Sequence, residues 1–220
     1  MSTAKTLRAA VVGIHIHAGD LNPKREQPGY LHTFRSIPGV QIVAYCVDPK
    51  LAPPGSNDHA VLQALREIET KANFYESVDE LIQKESFDLA IVLMRASEIP
   101  EAVEKLARAG KDIFCEKQFA RSSAAFYPAV RAVRESGVIF GAGYPWRSHP
   151  VTRQLRKLIT EGVLGEPLSI ALHFATSQVR EGSRNPAEWM YRKETEGGGV
   201  LHYLGCHFID LARSLMGCEI

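Results

Sequence analysis

Along the first 143 residues, apolar positions gather into short unbroken runs set between polar, amphipathic stretches. Ala9 to Ile14 (AAVVGI), Val40 to Val47 (VQIVAYCV) and Leu89 to Met94 (LAIVLM) are the longest runs, and Ile113 to Cys115 and Val138 to Phe140 are shorter ones. Unbroken apolar runs, as opposed to alternation, mark strands covered on both faces of a parallel sheet. The stretches between them follow a helical period. Val61, Leu62, Leu65 and Ile68 share a stripe within Asp58 to Ala72, and Ala102, Val103, Leu106 and Ala107 share one within Pro100 to Ala109. Ser77, with Glu80 three residues on, predicts a capping box opening a helix over 78–85. Ser122 or Ser123 predicts the cap of a helix running to Ser136. Gly110 and Gly137 close the third and last of these helices. Strand, helix and strand in repetition predict right-handed βαβ units.

After about Gly143 the rhythm changes. Pro150 to Glu161 reads as a helix with Leu155, Leu158 and Ile159 on one face. Leu168 to Thr176 alternates, Ile170, Leu172 and Phe174 against Ser169, Ala171 and His173, which predicts an antiparallel strand with one solvated or ligand-facing side. Val200 to Met216 reads as a helix opened by the triple glycine Gly197–Gly199. The fold class expected is therefore α/β: a Rossmann-type doubly wound parallel sheet over 1–143, then a partial α+β substrate domain with an open sheet over 144–220. Two polar, proline- and glycine-bearing loops interrupt the first domain, at His17 to Tyr30 and at Leu51 to Asn57.

Composition narrows the picture by exclusion. A formal net charge of +1 over 220 residues gives no strong field to draw the chain to nucleic acid or a membrane surface. The opening MSTAKTLR leads into only six apolar residues, too few for a signal peptide or a span, so a cytoplasmic location is expected. Four cysteines, Cys46, Cys115, Cys206 and Cys218, form no CxxC pair and read as reduced thiols.

Three places carry candidate chemistry. The turn after the first run reads Gly13-Ile14-His15-Ile16-His17-Ala18-Gly19. Glycine here lets backbone N–H groups approach a pyrophosphate, and only the first glycine of a GxGxxG pattern is in place. Asp48, at the end of the second run, either binds the ribose hydroxyls of a dinucleotide or opens the turn before Pro49. Cys115-Glu116-Lys117-Gln118 puts a lysine at a strand's carboxyl end, where it either exchanges a proton with a ligand hydroxyl or makes a surface ion pair. In the third place, Tyr203 and His207 are four apart on a predicted helix, with Gly205 removing bulk beside the histidine; His207 is either an acid/base group or a packed core residue.

These pieces, in this order, resemble the glucose–fructose oxidoreductase / inositol dehydrogenase (Gfo/Idh/MocA) family. Residues 109–117 (AGKDIFCEK) are similar to its AGKHVFCEKP segment, with Asp79-Glu80-Leu81 upstream. Residues 143–150 (GYPWRSHP) are similar to its GYNRRFHP crossover, and 161–167 (EGVLGEP) to its EGxLGEP turn. Trp189 falls where a tryptophan is frequent, and Gly197 to Asp210 resembles the GGGxLxDxGxHxID helix.

The resemblance implies hydride transfer between a sugar- or polyol-like alcohol and a nicotinamide. Lys117 and His207, with Tyr203, would be the catalytic groups. Gly13, Ile14, His15, Asp48, Met94, Arg95, Glu116 and Lys117 would hold the cofactor, and Arg147, Trp189 and His202 would face the substrate. NAD is expected over NADP, because Asp48 would repel a 2′-phosphate. No metal is expected, the partner is a small molecule, and homo-oligomerisation stays open.

The sequence departs from the pattern at His15 and Ala18 in the glycine turn. It departs again at Gln118, where the family has proline, and at Tyr203, where it has aspartate. Family members also continue with further strands, so the second domain is expected to be incomplete. Two other classes compete: a non-catalytic relative that binds a ligand or partner, and a metal hydrolase using His15 and His17, with His202, Cys206 and His207 as further donors.

Overall fold

The computed structural model describes residues 6–14, 29–175 and 192–219. Two compact units divide the chain, Met1–Ala142 and Gly143–Ile220.

The first unit is a six-stranded sheet: β1 (Leu7–Val12), β2 (Val40–Cys46), β3 (Asn73–Tyr75), β4 (Leu89–Val92), β5 (Asp112–Glu116) and β6 (Phe140–Gly143). The strand order is β3-β2-β1-β4-β5-β6, and β1 pairs in parallel with both β2 and β4. The order reverses between β1 and β4, which creates the crevice where doubly wound sheets bind ligands. In the register Ala9 faces Ile42 and Ala10 faces Ala44, so a bulge sits between them.

Each strand contributes alternate side chains to two apolar layers. Ala10, Val12, Ala44, Cys46, Ala90 and Val92 pack with Leu81 of α3 (Val78–Lys84), Val103 and Leu106 of α4 (Ile99–Arg108) and Ala129 of α5 (Ser123–Ser136). Ala9, Val11, Tyr45 and Ile91 pack on the other face with Leu31 and Phe34 of α1 (Tyr30–Ser36) and Leu62 and Leu65 of α2 (Asn57–Ile68). Burial on both faces is why these strands read as unbroken apolar runs.

Local signals set the helix ends. Ser77 and Ser122 cap α3 and α5 by accepting the N–H of Glu80 and Ala125, and Gly137 closes α5 in the left-handed conformation at φ 69°. The predicted capping box is only half made, because the Glu80 carboxylate accepts the N–H of Glu76 instead of that of Ser77. The last strand of the sheet also lies later than the Val138–Phe140 run: Ile139 supplies a carbonyl to Ile113, and β6 begins at Phe140.

Among its described residues the second unit is helical: a tight turn over Pro145–Ser148, then α6 (Pro150–Thr160), α7 (Lys193–Glu196) and α8 (Cys206–Met216). The strand predicted from Leu168 is not formed. Residues 168–175 belong to no ladder, and Leu168 is 90% exposed. Alternation supplies a face, but a strand also needs a neighbour for its backbone groups, and none of the described residues of this unit provides one. The predicted helix from Val200 also differs. Leu201–Gly205 forms a π-helical turn that passes into α8 at Cys206.

Candidate functional site

The carboxyl edge of the sheet gathers the first group of candidate residues. Gly13 follows β1 at φ 84°, its N–H donating to the Cys46 carbonyl at 2.8 Å. A Cβ there would sit 2.4 Å from the Leu93 carbonyl oxygen and 2.7 Å from Met94 Cγ, so both conformation and space demand glycine. The turn thus crosses closely over the end of β4. Ile14 is buried beside it. His15 and His17, with the remainder of the glycine turn, lie outside the described residues, as does Trp189.

Asp48 follows β2 half-buried, and its Oδ1 accepts the Lys50 N–H at 2.8 Å. The turn-opening role is therefore real, while Oδ2 accepts no hydrogen bond among the described residues. Arg95, beyond β4, donates to the Leu51 carbonyl at 2.9 Å and to Asp58 Oδ2 at 3.2 Å. It ties the loop after Asp48 to the first turn of α2. Burial raises the Asp58 carboxyl above the usual carboxylate range, and Arg95 pulls it back.

At the end of β5, Glu116 is 3% and Lys117 7% exposed. Glu116 Oε2 accepts the Tyr30 hydroxyl at 3.0 Å and the Lys117 N–H at 2.7 Å. Burial raises Glu116 to about 7, against the opposing pull of the Lys117 ammonium, the Tyr30 hydroxyl and the Lys117 N–H. Tyr30 is pushed up by burial and by this carboxylate, and its ring packs on Phe114 at 5.5 Å. The Lys117–Gln118 peptide is cis, although glutamine stands where the family pattern has proline. Burial also pushes the Cys46 thiol up to about 12 and raises Cys115 well above its ordinary value, so both are inert core thiols near neutral pH.

In the second unit His207 lies in the first turn of α8, 8% exposed. Its imidazole stacks on the Trp146 indole at 4.9 Å and 26°, and Tyr144 meets it edge-on at 5.9 Å. Arg147, expected to face substrate, donates from Nε to both Asp210 oxygens at 2.7 and 2.6 Å. His202 Nδ1 lies 2.6 Å from the Glu196 carbonyl, and Gly198 leaves room for that approach, since a Cβ there would sit 2.7 Å from His202 Cβ. The space left by Gly205 is taken by Leu201 Cδ1, 2.7 Å from where a Cβ would be, and so is not an opening beside His207. The π turn also places Tyr203 out of the α-helical register in which residues four apart align.

Two family models match this chain. The "Oxidoreductase family, NAD-binding Rossmann fold" matches residues 50–144, and the "GFO/IDH/MocA C-terminal domain" matches residues 152–220. The chain belongs to the Gfo/Idh/MocA family. As a Gfo/Idh/MocA chain it is 35% identical over 144 residues to the 2,7-anhydro-N-acetylneuraminate hydratase of Escherichia coli, covering 64% of itself and 37% of that protein. It is 28% identical over 195 residues to the NAD(+)-dependent scyllo-inositol 2-dehydrogenase of Bacillus subtilis, covering 87% of itself and 52% of that protein. It thus spans about half the length, or less, of these curated relatives. Its fold is that of the WlbA dehydrogenase of Bordetella pertussis solved with NADH and UDP-GlcNAcA, at TM-score 0.73 and 20% identity, covering 97% of this chain and 56% of that one.

The open, doubly wound sheet is not the eight-fold barrel that the HxH hydrolase reading needs. Among the described residues no three His, Cys, Asp or Glu side chains converge as a metal site would require. No helix among them is long and apolar enough to cross a membrane.

Proposed function

We propose that this Gfo/Idh/MocA chain serves nicotinamide-dependent oxidation of a sugar- or polyol-like alcohol, with Lys117 and His207 as its acid/base groups. One observation carries the reading: the β3-β2-β1-β4-β5-β6 order brings Gly13, Asp48, Met94 and Lys117 to the carboxyl ends of β1, β2, β4 and β5. Asp48 fits a ribose diol, since one carboxylate oxygen is taken by the turn and the other accepts no hydrogen bond among the described residues. Gly13 lets the chain turn tightly over the end of β4. When bound, the nicotinamide supplies the hydride acceptor. Lys117 then holds the reacting hydroxyl and His207 takes its proton. A carboxylate at position 48 favours NAD over NADP.

Titrating NADH by its fluorescence tests the cofactor half, and no saturable binding up to millimolar concentration overturns it. Turnover is assayed over a panel that includes myo-inositol and D-xylose, the substrates named for related dehydrogenases. Because a related protein is named a hydratase, sugar products are followed as well as NADH. His207→Asn is expected to lower kcat by about 10³-fold while cofactor affinity stays within about threefold. Equal turnover in variant and parent removes His207 from the chemistry.

A further inference from the structure

The tight turn Pro145–Ser148 carries Trp146, whose indole packs among aromatic rings. Its face lies on the His207 imidazole, with centroids 4.9 Å apart and planes at 26°. Phe208 meets Trp146 edge-on at 4.9 Å, and Phe174 packs at 6.5 Å and 40°. Phe174 and Phe208 also pack on each other at 5.7 Å. The indole is therefore held by rings on two segments of this unit, and the imidazole is held between the indole face and the Tyr144 edge. For His207 to turn about its Cβ–Cγ bond, it would have to displace a fixed indole.

A histidine that moves protons needs its ring plane fixed, and a neighbouring carboxylate commonly does this through a hydrogen bond. The acidic side chain nearest in this helix, Asp210, is one turn on and is neutralised by Arg147. Tyr144 meets the ring from the turn, and Tyr203 and Cys206 precede it in the chain. We propose that Trp146 is a positioning residue for His207, fixing by stacking the plane of the imidazole and so the direction in which its nitrogens exchange protons. This rests on His207 being the acid/base group and adds to it the group that orients it. Trp146 stands where the family's crossover pattern has arginine, so the device belongs to this chain's own residues.

The chain has two tryptophans, so Trp189→Phe leaves Trp146 as the sole indole. An imidazolium stacked on an excited indole accepts an electron from it and quenches emission. In that background emission is expected to rise about twofold as pH climbs through the range where imidazole loses its proton. The added substitution His207→Asn is expected to flatten the curve. A flat curve with His207 present overturns the stack and the proposal. Trp146→Leu is expected to lower kcat by about 10- to 100-fold with KM within about threefold, and Trp146→Phe to restore most of it. Unchanged kcat in Trp146→Leu overturns the proposal, and Trp146→Phe guards against a leucine variant that fails to fold. Absence of any dehydrogenase turnover defeats the functional reading instead, and the emission titration, which needs no substrate, separates that failure from this one.

Discussion

The two units hold their candidate groups by different physics. At the end of β5, Lys117 follows a buried carboxyl group whose hydrogen bonds run to a phenol and a backbone N–H. In the second unit, His207 is held by ring faces, and the strong ionic contact nearby, Arg147 with Asp210, does not include it. Directional polar bonds in a low-dielectric setting hold geometry and also couple it to pH. Aromatic contacts hold a ring plane through its faces and edges. The stability of the first unit is expected to fall with rising pH through Glu116.

The largest expected effect tests the backbone frame of the first unit. Gly13→Ala would need a side chain at φ 84° and would place Cβ 2.4 Å from a carbonyl oxygen. Left-handed strain and backbone displacement together are expected to cost about 4 kcal/mol, measured by urea unfolding followed by circular dichroism. A loss under about 1 kcal/mol would show that the β1 turn relaxes freely and that the frame is not rigid.

Next comes the pH difference itself. Burial pushes the Glu116 carboxyl up to about 7 in the folded chain, from 4.5 in water, so the folded state binds the extra proton between those values. Its contribution is complete below about pH 4.5 and is lost as pH rises through 7, about 3 kcal/mol in all. Glu116→Gln, isosteric and without charge, is expected to remove that slope. Parent and variant unfolding free energies between pH 4.5 and 8.5 give the difference, and parallel curves would place the carboxyl in water.

A smaller effect belongs to the second unit. Arg147→Met leaves the Asp210 carboxylate, whose side chain is 6% exposed, without its guanidinium. Arg147 itself is nearly half exposed, so the loss is expected to be about 2 kcal/mol, below that of a fully buried pair. Trp146 lies in this unit, so in the Trp189→Phe background emission follows the unfolding of this unit. A change in circular dichroism midpoint with no change in emission would break the assignment of this bond to the second unit alone.

Much of the sheet was legible because burial on both faces writes itself as unbroken apolar sequence, as in β1, β2, β4 and β5. Elements that bury less were not. β3 is three residues, Asn-Phe-Tyr, on an edge, and α1, which starts where the 17–30 loop ends, buries only Leu31 and Phe34. Leu168 to Phe174 had the alternation of a strand but not the partner, which periodicity cannot supply. The π turn at 201–205 has the composition of an α-helix and so reads as one. Among the candidate residues, Gly13, Asp48, Glu116 and Lys117 could be found because each follows or ends an apolar run. Tyr30 and Trp146 could not, since the phenol meets Glu116 across 86 positions and the indole reaches His207 from another segment. Arg147 stands out within the 143–150 segment, but its bond to Asp210, 63 positions away, leaves no local trace.

The finest test separates the two hydrogen bonds that meet at Glu116 Oε2. Tyr30→Phe keeps the ring on Phe114 and removes only the hydroxyl that donates to Glu116. A protonated carboxyl loses a neutral hydrogen bond, about 1 kcal/mol, and a carboxylate loses a charged one, about 2 kcal/mol. Since the hydroxyl favours the ionised form, its loss is expected to move the Glu116 midpoint above 7 and to steepen the decline of stability with pH, the opposite of Glu116→Gln. Unfolding at pH 5 and pH 8.5 measures both ends. An equal loss at the two pH values would mean that the phenol serves the packing of α1 and leaves the carboxyl's proton affinity alone, and the polar character assigned to the first unit would then rest on the Lys117 backbone N–H and ammonium.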